Sequence, residues 1–209
     1  MHGDPDIPHK KEIKKFVPKA KTNVTTQRLF EKINSVLDED MAILADVGDS
    51  LFGAVDLLVH DSNQFIAAAF YTSMGTAIPG ALGVQIAQPK LRPIVLTGDG
   101  SFQMACTELS TIVERGLNPI VIVLNNNGYT TERFLLDGPF NDIRNWNYEE
   151  VCNLIGGGVG VKVETEKELD AAIEMSLDSK ELTVINVIVD SDDVSPALKR
   201  MTAGLSKKL

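Results

Sequence analysis

The feature that most constrains this chain is the run Pro119-Ile120-Val121-Ile122-Val123-Leu124, which contains no polar residue. A strand with one wet face alternates apolar and polar side chains. This run is apolar in both directions, so both of its faces must be covered, as inside a parallel sheet. Parallel neighbours cannot be joined by a tight hairpin, so helices must carry the chain back between strands. The rest of the sequence complies. Met41–Ala45, Pro93–Thr97, Gly158–Val163 and Leu182–Val189 read as further strands. A helix with Leu29, Ile33, Val36 and Leu37 on one face is capped by Thr25 or Thr26. Thr76–Gln88 reads as a closely packed alanine- and glycine-rich helix. Ser101–Arg115 carries Phe102, Ala105, Cys106, Leu109, Ile112 and Val113 at helical spacing and stops at Gly116. Lys167–Leu177 and Ser195–Leu205 are further helices, and shorter ones are expected to start near Thr131 and Tyr148. The predicted fold class is α/β, a doubly wound parallel sheet with helices on both faces.

Residues 1–22 stand apart. Pro5, Pro8 and Pro18 interrupt them and six lysines lie between Lys10 and Lys21, the composition of a linker or the tail of a preceding domain. The folded domain is expected over 23–209. With 29 acidic against 20 basic residues the net charge is −9, which repels nucleic acid and anionic membrane surfaces. A phosphate-bearing ligand must therefore be held locally, by backbone amides or a metal. No apolar run approaches the ~20 residues of a membrane span, and residues 1–21 lack the apolar segment of a signal peptide. Cys106 and Cys152 read as unpaired thiols, in keeping with a reducing compartment. A cytoplasmic protein is expected.

Three polar turns follow predicted strands, where open parallel sheets bind their ligands. They are Asp46-Val47-Gly48-Asp49-Ser50, Gly98-Asp99-Gly100-Ser101 and Asn125-Asn126-Asn127-Gly128-Tyr129. In the second, two glycines allow a ligand close to the backbone and the helix start favours phosphate. Asp99 is an anion in that same place, which is unfavourable unless a cation lies between, and so points to a divalent metal. The third turn offers the Asn126 side-chain oxygen and the Gly128 carbonyl. With the Asp99 carboxylate these are hard oxygen donors of the kind Mg²⁺ takes.

Gly98-Asp99-Gly100 and Asn125-Asn126, with 24 residues between Gly100 and Asn125, resemble the thiamine-diphosphate fingerprint. By this resemblance Asp99, Asn126 and the Gly128 carbonyl bind Mg²⁺, and Ser101 with its neighbouring amides holds the diphosphate. Asn126–Arg133 (NNGYTTER) looks like the pyruvate and indolepyruvate decarboxylases, where a glutamate in the place of Glu132 projects toward the reacting carbon. Thr131 departs from the bulky apolar residue common there, which leaves pocket size and substrate open. Asp46–Phe52 resembles the segment near the cofactor's aminopyrimidine and diphosphate. It implies cofactor contacts for Asp49, as a hydrogen-bond acceptor, and for Ser50. Tyr71-Thr72-Ser73-Met74-Gly75 matches the segment whose backbone carbonyl meets the aminopyrimidine. Met74 stands for the apolar wedge that bends the cofactor, and Thr72 replaces a glycine usual there. Gly98, Gly100 and Tyr129 complete the expected cofactor contacts. The resemblance covers about 25–205 and includes Asn141–Tyr148.

The resemblance also implies something missing. In this family a second, pyrimidine-binding domain supplies the activating glutamate, and the decarboxylases carry paired histidines on it. Here the histidines are His2, His9 and His60, with no such pair. The expectation is therefore half of a 2-oxo-acid decarboxylase, inactive alone. It is completed by that domain in the same longer chain or by a separate subunit, and self-associates through an apolar face near Thr76–Gln88. An acetolactate-synthase-like carboligase is the alternative, against which Glu132 and its neighbours speak. A plain nucleotide-binding module is the other; no Walker loop or Gly-x-Gly-x-x-Gly is present.

Overall fold

The computed structural model describes residues 13–133 and 136–205. Its strands are β1 (Met41–Ala45), β2 (Phe65–Ala67), β3 (Arg92–Gly98), β4 (Ile120–Asn125), β5 (Val159–Val163) and β6 (Thr183–Ile188). They form one sheet in the order β2-β1-β3-β4-β6-β5, parallel at every pairing. The helices are α1 (Thr26–Val36), α2 (Asp49–Ala54), α3 (Ala77–Ala87), α4 (Asp99–Ala105), α5 (Leu109–Glu114), α6 (Thr130–Arg133), α7 (Val151–Ile155), α8 (Glu166–Asp178) and α9 (Pro196–Leu205). The doubly wound α/β class expected from the sequence is the one found.

β4 explains its own composition. Ile120, Ile122 and Leu124 pack with Leu29 and Ile33 of α1, Leu51 of α2, and Leu169 and Ile173 of α8. Val121 and Val123 pack on the opposite face with Ile78 of α3, Phe102 of α4, Leu109 and Ile112 of α5, and Val151 of α7. Two cores on one sheet require a strand that is apolar both ways. Thr25 caps α1 by accepting from the Arg28 amide, as its position suggests.

Three features differ from the sequence reading. The single helix expected over Ser101–Arg115 begins earlier, at Asp99, and is broken. Ala105 sits at φ −132°, and Cys106–Glu108 form a 3₁₀ turn before α5. The break keeps Phe102, Leu109 and Ile112 all fully buried against the sheet. It leaves Cys106 only half-buried, not a core residue; Cys152 is buried, and both thiols are free. The edge strand β2 and the six-residue α2 add to the expected elements, and both are too short to carry a periodic signal. Of the amino-terminal arm, residues 1–12 lie outside the described residues. Phe16 is buried under α1, with the Arg28 guanidinium 4.2 Å above its ring. Among the described residues no helix is long and apolar enough to cross a membrane.

Candidate cofactor-binding site

β1, β3 and β4 are neighbours in the sheet, so the turns at their carboxyl ends lie side by side. A cavity of about 240 Å³ opens among them. Every site residue expected from the sequence lines it: Asp49, Ser50, Thr72, Met74, Gly98, Asp99, Gly100, Ser101, Asn126, Gly128, Tyr129 and Glu132. Val47, Gly48, Phe52, Leu124, Thr130 and Thr131 complete the wall without having been expected to contact the cofactor.

Asp99 opens α4 directly after β3 and is 1% exposed. One carboxylate oxygen accepts from the Gly100 amide at 2.8 Å and the other from the Gly128 amide at 3.0 Å. Among the described residues no lysine, arginine or histidine forms an ion pair with it. Burial pushes its pKa up to about 6, against the pull of the Gly100, Gly128 and Asn127 amides. One turn away, Asn126 Oδ1 is buried and, among the described residues, accepts no hydrogen bond. An orphaned buried oxygen costs about 1–3 kcal/mol, so it marks a place where a donor or cation is due.

The turn that carries Asn126 is tightly fixed. Gly128 has φ +147°, and a Cβ there would fall 2.3 Å from the Asn141 carbonyl oxygen. The Tyr129 amide donates to that same carbonyl at 2.9 Å. Gly100 is needed for a different reason: a Cβ on it would strike the Tyr129 ring at 2.5 Å. Tyr129 therefore lies flush against the start of α4 only because residue 100 has no side chain. Among the described residues no group of three or more His, Cys, Asp or Glu side chains is placed to hold a metal. The expected donor set differs in kind, with one carboxylate and two neutral oxygens.

The wall from β1 is built around Asp49. Both of its oxygens are engaged by Ser195, one by the amide at 2.7 Å and one by the hydroxyl. Burial raises the Asp49 pKa despite those bonds. Ser195 in turn caps α9 by accepting from the Leu198 amide. Another part of the wall holds Thr72 and Met74. Thr72 sits at φ +54°, a left-handed conformation uncommon for a β-branched residue. Its amide donates to the Ala68 carbonyl and its hydroxyl to that of Tyr71. Glu132, on α6, is exposed and reaches the same cavity.

Residues 46–187 match the family described as thiamine pyrophosphate enzyme, C-terminal TPP binding domain. The chain belongs to this family. Among its relatives are a probable pyruvate decarboxylase of Schizosaccharomyces pombe, 33% identical over 87% of this chain, and pyruvate decarboxylase 4 of Arabidopsis thaliana, 34% identical over 88%. Pyruvate decarboxylase 2 of Oryza sativa subsp. japonica is 37% identical over 81%. The chain spans about a third of the length of these relatives, between 29% and 33%. It is thus a thiamine-pyrophosphate-binding domain by family, similar to part of these pyruvate decarboxylases, which extend well beyond the part it matches.

Sequence reasoning missed two residues that organise this site. Asp46 opens the first polar turn and Ser195 the last expected helix, but no role was expected of either, and each acts on a partner far along the chain. The position of Asp46 directly after a strand was the only available signal.

Proposed function

We propose that this chain is the diphosphate- and Mg²⁺-binding half of a non-oxidative 2-oxo-acid decarboxylase, releasing carbon dioxide and an aldehyde. The observation that carries it is the pairing of a buried, cation-free carboxylate at Asp99 with the orphaned Oδ1 of Asn126. Mg²⁺ fits that gap: the Asp99 carboxylate, Asn126 Oδ1 and the Gly128 carbonyl are hard oxygen donors, and phosphate oxygens supply the remainder. Ser101, Ser50 and the amides near Gly98 hold the diphosphate. Gly100 contributes by leaving room for Tyr129. Asp49 keeps lone pairs beyond the two that Ser195 uses, and these accept from the ligand. Thr72 presents its backbone and Met74 its side chain to the aminopyrimidine end. When bound, thiamine diphosphate supplies the electron sink that decarboxylation needs. Glu132, exposed at the cavity, exchanges a proton at its carboxyl group beside the substrate.

The specific reaction rests on the relatives being named pyruvate decarboxylases. The partner is a pyrimidine-binding domain, in the same longer chain or a separate subunit, which supplies the activating carboxylate. Phe70 (96% exposed) and Tyr71 (83%) flank the Thr72 wall and suit burial against that partner or a second copy. The free thiols fit a reducing, cytoplasmic setting. Calorimetric titration of thiamine diphosphate with and without Mg²⁺ tests the assignment. Metal-dependent binding lost in Asn126→Ala is expected. Binding indifferent to metal would overturn it.

A further inference from the structure

Asp46 lies one residue beyond β1, and its amide donates to the Leu96 carbonyl at 2.9 Å, so its backbone is locked to β3. Its carboxylate is fully buried and meets donors, not cations. Oδ1 accepts from the Thr76 amide at 2.7 Å, the Ala77 amide at 3.1 Å and the Thr76 hydroxyl at 3.3 Å. Oδ2 accepts from the Thr97 hydroxyl at 2.7 Å. Three segments distant in sequence meet on this one side chain. They are the end of β1, the start of the eleven-residue α3, and the last turn of β3 before Asp99.

The first amides of a helix lack partners within it, and an anion is the acceptor they favour. Thr76, in the N-cap position, makes no side-chain cap of its own. Asp46 caps α3 from another element instead. The Thr72–Gly75 turn runs directly into that helix start. The turn is also pressed onto α4: a Cβ on Gly75 would come 3.2 Å from the Met104 Cβ. Thr72 and Met74 line the cavity from this turn, and Asp99 and Ser101 line it from the start of α4. The Asp46 carboxylate joins the two through Thr76 and Thr97.

We propose that Asp46 is a positioning residue, which sets the spacing between the Met74 wall and the Asp99–Ser101 wall of the cavity. The inference rests on the proposed cofactor assignment for what the spacing serves, and on hydrogen-bond geometry alone for the spacing itself. A ligand that touches only the diphosphate wall should be indifferent to Asp46. One that spans both walls should not.

The test uses the complete protein and the variants Asp46→Asn and Thr97→Val. Asp46→Asn is nearly isosteric and keeps the fold within reach; Thr97→Val removes a single leg. Affinities are measured by calorimetry for thiamine diphosphate with Mg²⁺ and for inorganic pyrophosphate with Mg²⁺. Loss of one charge-assisted contact should weaken thiamine diphosphate binding about tenfold in Asp46→Asn, with pyrophosphate changed by less than about twofold. Thr97→Val should show the same split, smaller. Equal losses for both ligands, or none for either, overturn the proposal. Amide hydrogen exchange of the ligand-free protein supplies a readout free of any ligand. In Asp46→Asn the amides of residues 72–77 should exchange about tenfold faster while those of β4 do not change. Uniform acceleration across the sheet marks general destabilisation and sinks the positioning role. If the parent protein binds neither ligand, the cofactor assignment fails, and the exchange pattern still decides whether Asp46 holds the wall.

Discussion

Asp99 and Glu166 are each 1% exposed, yet the molecule treats the two carboxylates in opposite ways. Glu166, at the start of α8, is gripped by Arg28 through Nε at 2.9 Å and Nη2 at 2.8 Å, and by the Lys19 amide at 2.8 Å. Burial works to raise its pKa, but the hydrogen bonds from Arg28 and Lys19 prevail and the pKa ends below the ordinary 4.5. Among the described residues Asp99 meets only backbone amides, and burial carries its pKa up to about 6. The chain thus neutralises a buried carboxylate with arginine where structure is at stake. It leaves one without a cation in the wall of the cavity. An electrostatic deficit of this kind, at a strand end beside an orphaned oxygen, is what the proposed Mg²⁺ site would require.

The largest expected effect separates the two. Asp99→Ala should weaken Mg²⁺-dependent thiamine diphosphate binding at least a hundredfold, or about 3 kcal/mol. Glu166→Gln should leave that affinity within about twofold wherever the protein remains folded. Equal losses in calorimetry would erase the distinction.

Stability should reverse the order. Glu166→Gln strands Arg28 and should lower the urea-unfolding free energy by about 2–3 kcal/mol, somewhat less than a fully buried pair because Arg28 is 19% exposed. Asp99→Asn in metal-free buffer should be neutral or stabilising, since it removes a buried charge that backbone amides offset only in part.

The two carboxylates should also respond oppositely to pH in chelator-treated protein. The depressed pKa of Glu166 means that its stabilisation is present above the ordinary 4.5 and is lost as pH falls through the folded value. The raised pKa of Asp99 has the contrary sign. The cost of holding it ionised in the folded state grows as pH rises from 3.8 to about 6, then levels off. The melting-temperature advantage of Asp99→Asn should therefore widen across that interval, and saturating Mg²⁺ should cancel it. An advantage independent of pH would show that charge is not its source.

The smallest effect concerns backbone strain at the same cavity. Thr72→Gly should relieve the φ of +54° and stabilise the protein by about 0.5–1 kcal/mol in chemical denaturation, offset in part by the greater unfolded-state freedom of glycine. A loss of stability would mean that the Thr72 hydroxyl bond to Tyr71 outweighs the strain.

What could be read from the sequence follows a physical divide. The run through β4 specified a two-faced core, and the polar turns after β1, β3 and β4 specified where the cavity lies. Strand-end turns are local signals, legible within a few residues. The break between α4 and α5 was hidden because Phe102, Leu109 and Ile112 keep helical spacing across it. β2 has three residues, too few for any alternation to register. Asp46 and Thr97 lie 51 positions apart and Asp49 and Ser195 lie 146 apart, and no pattern in one sequence pairs such distant groups.

The Asp49–Ser195 contact has a consequence in time. The two residues are made 146 positions apart, so at about 5–20 residues per second roughly 7–30 s of synthesis separates them. Through that interval Asp49 has no Ser195 to bond, while β3, β4 and the turns after them are made. One wall of the cavity is therefore set only after the rest of the domain has emerged, and the growing chain carries an unfinished pocket almost to its final helix.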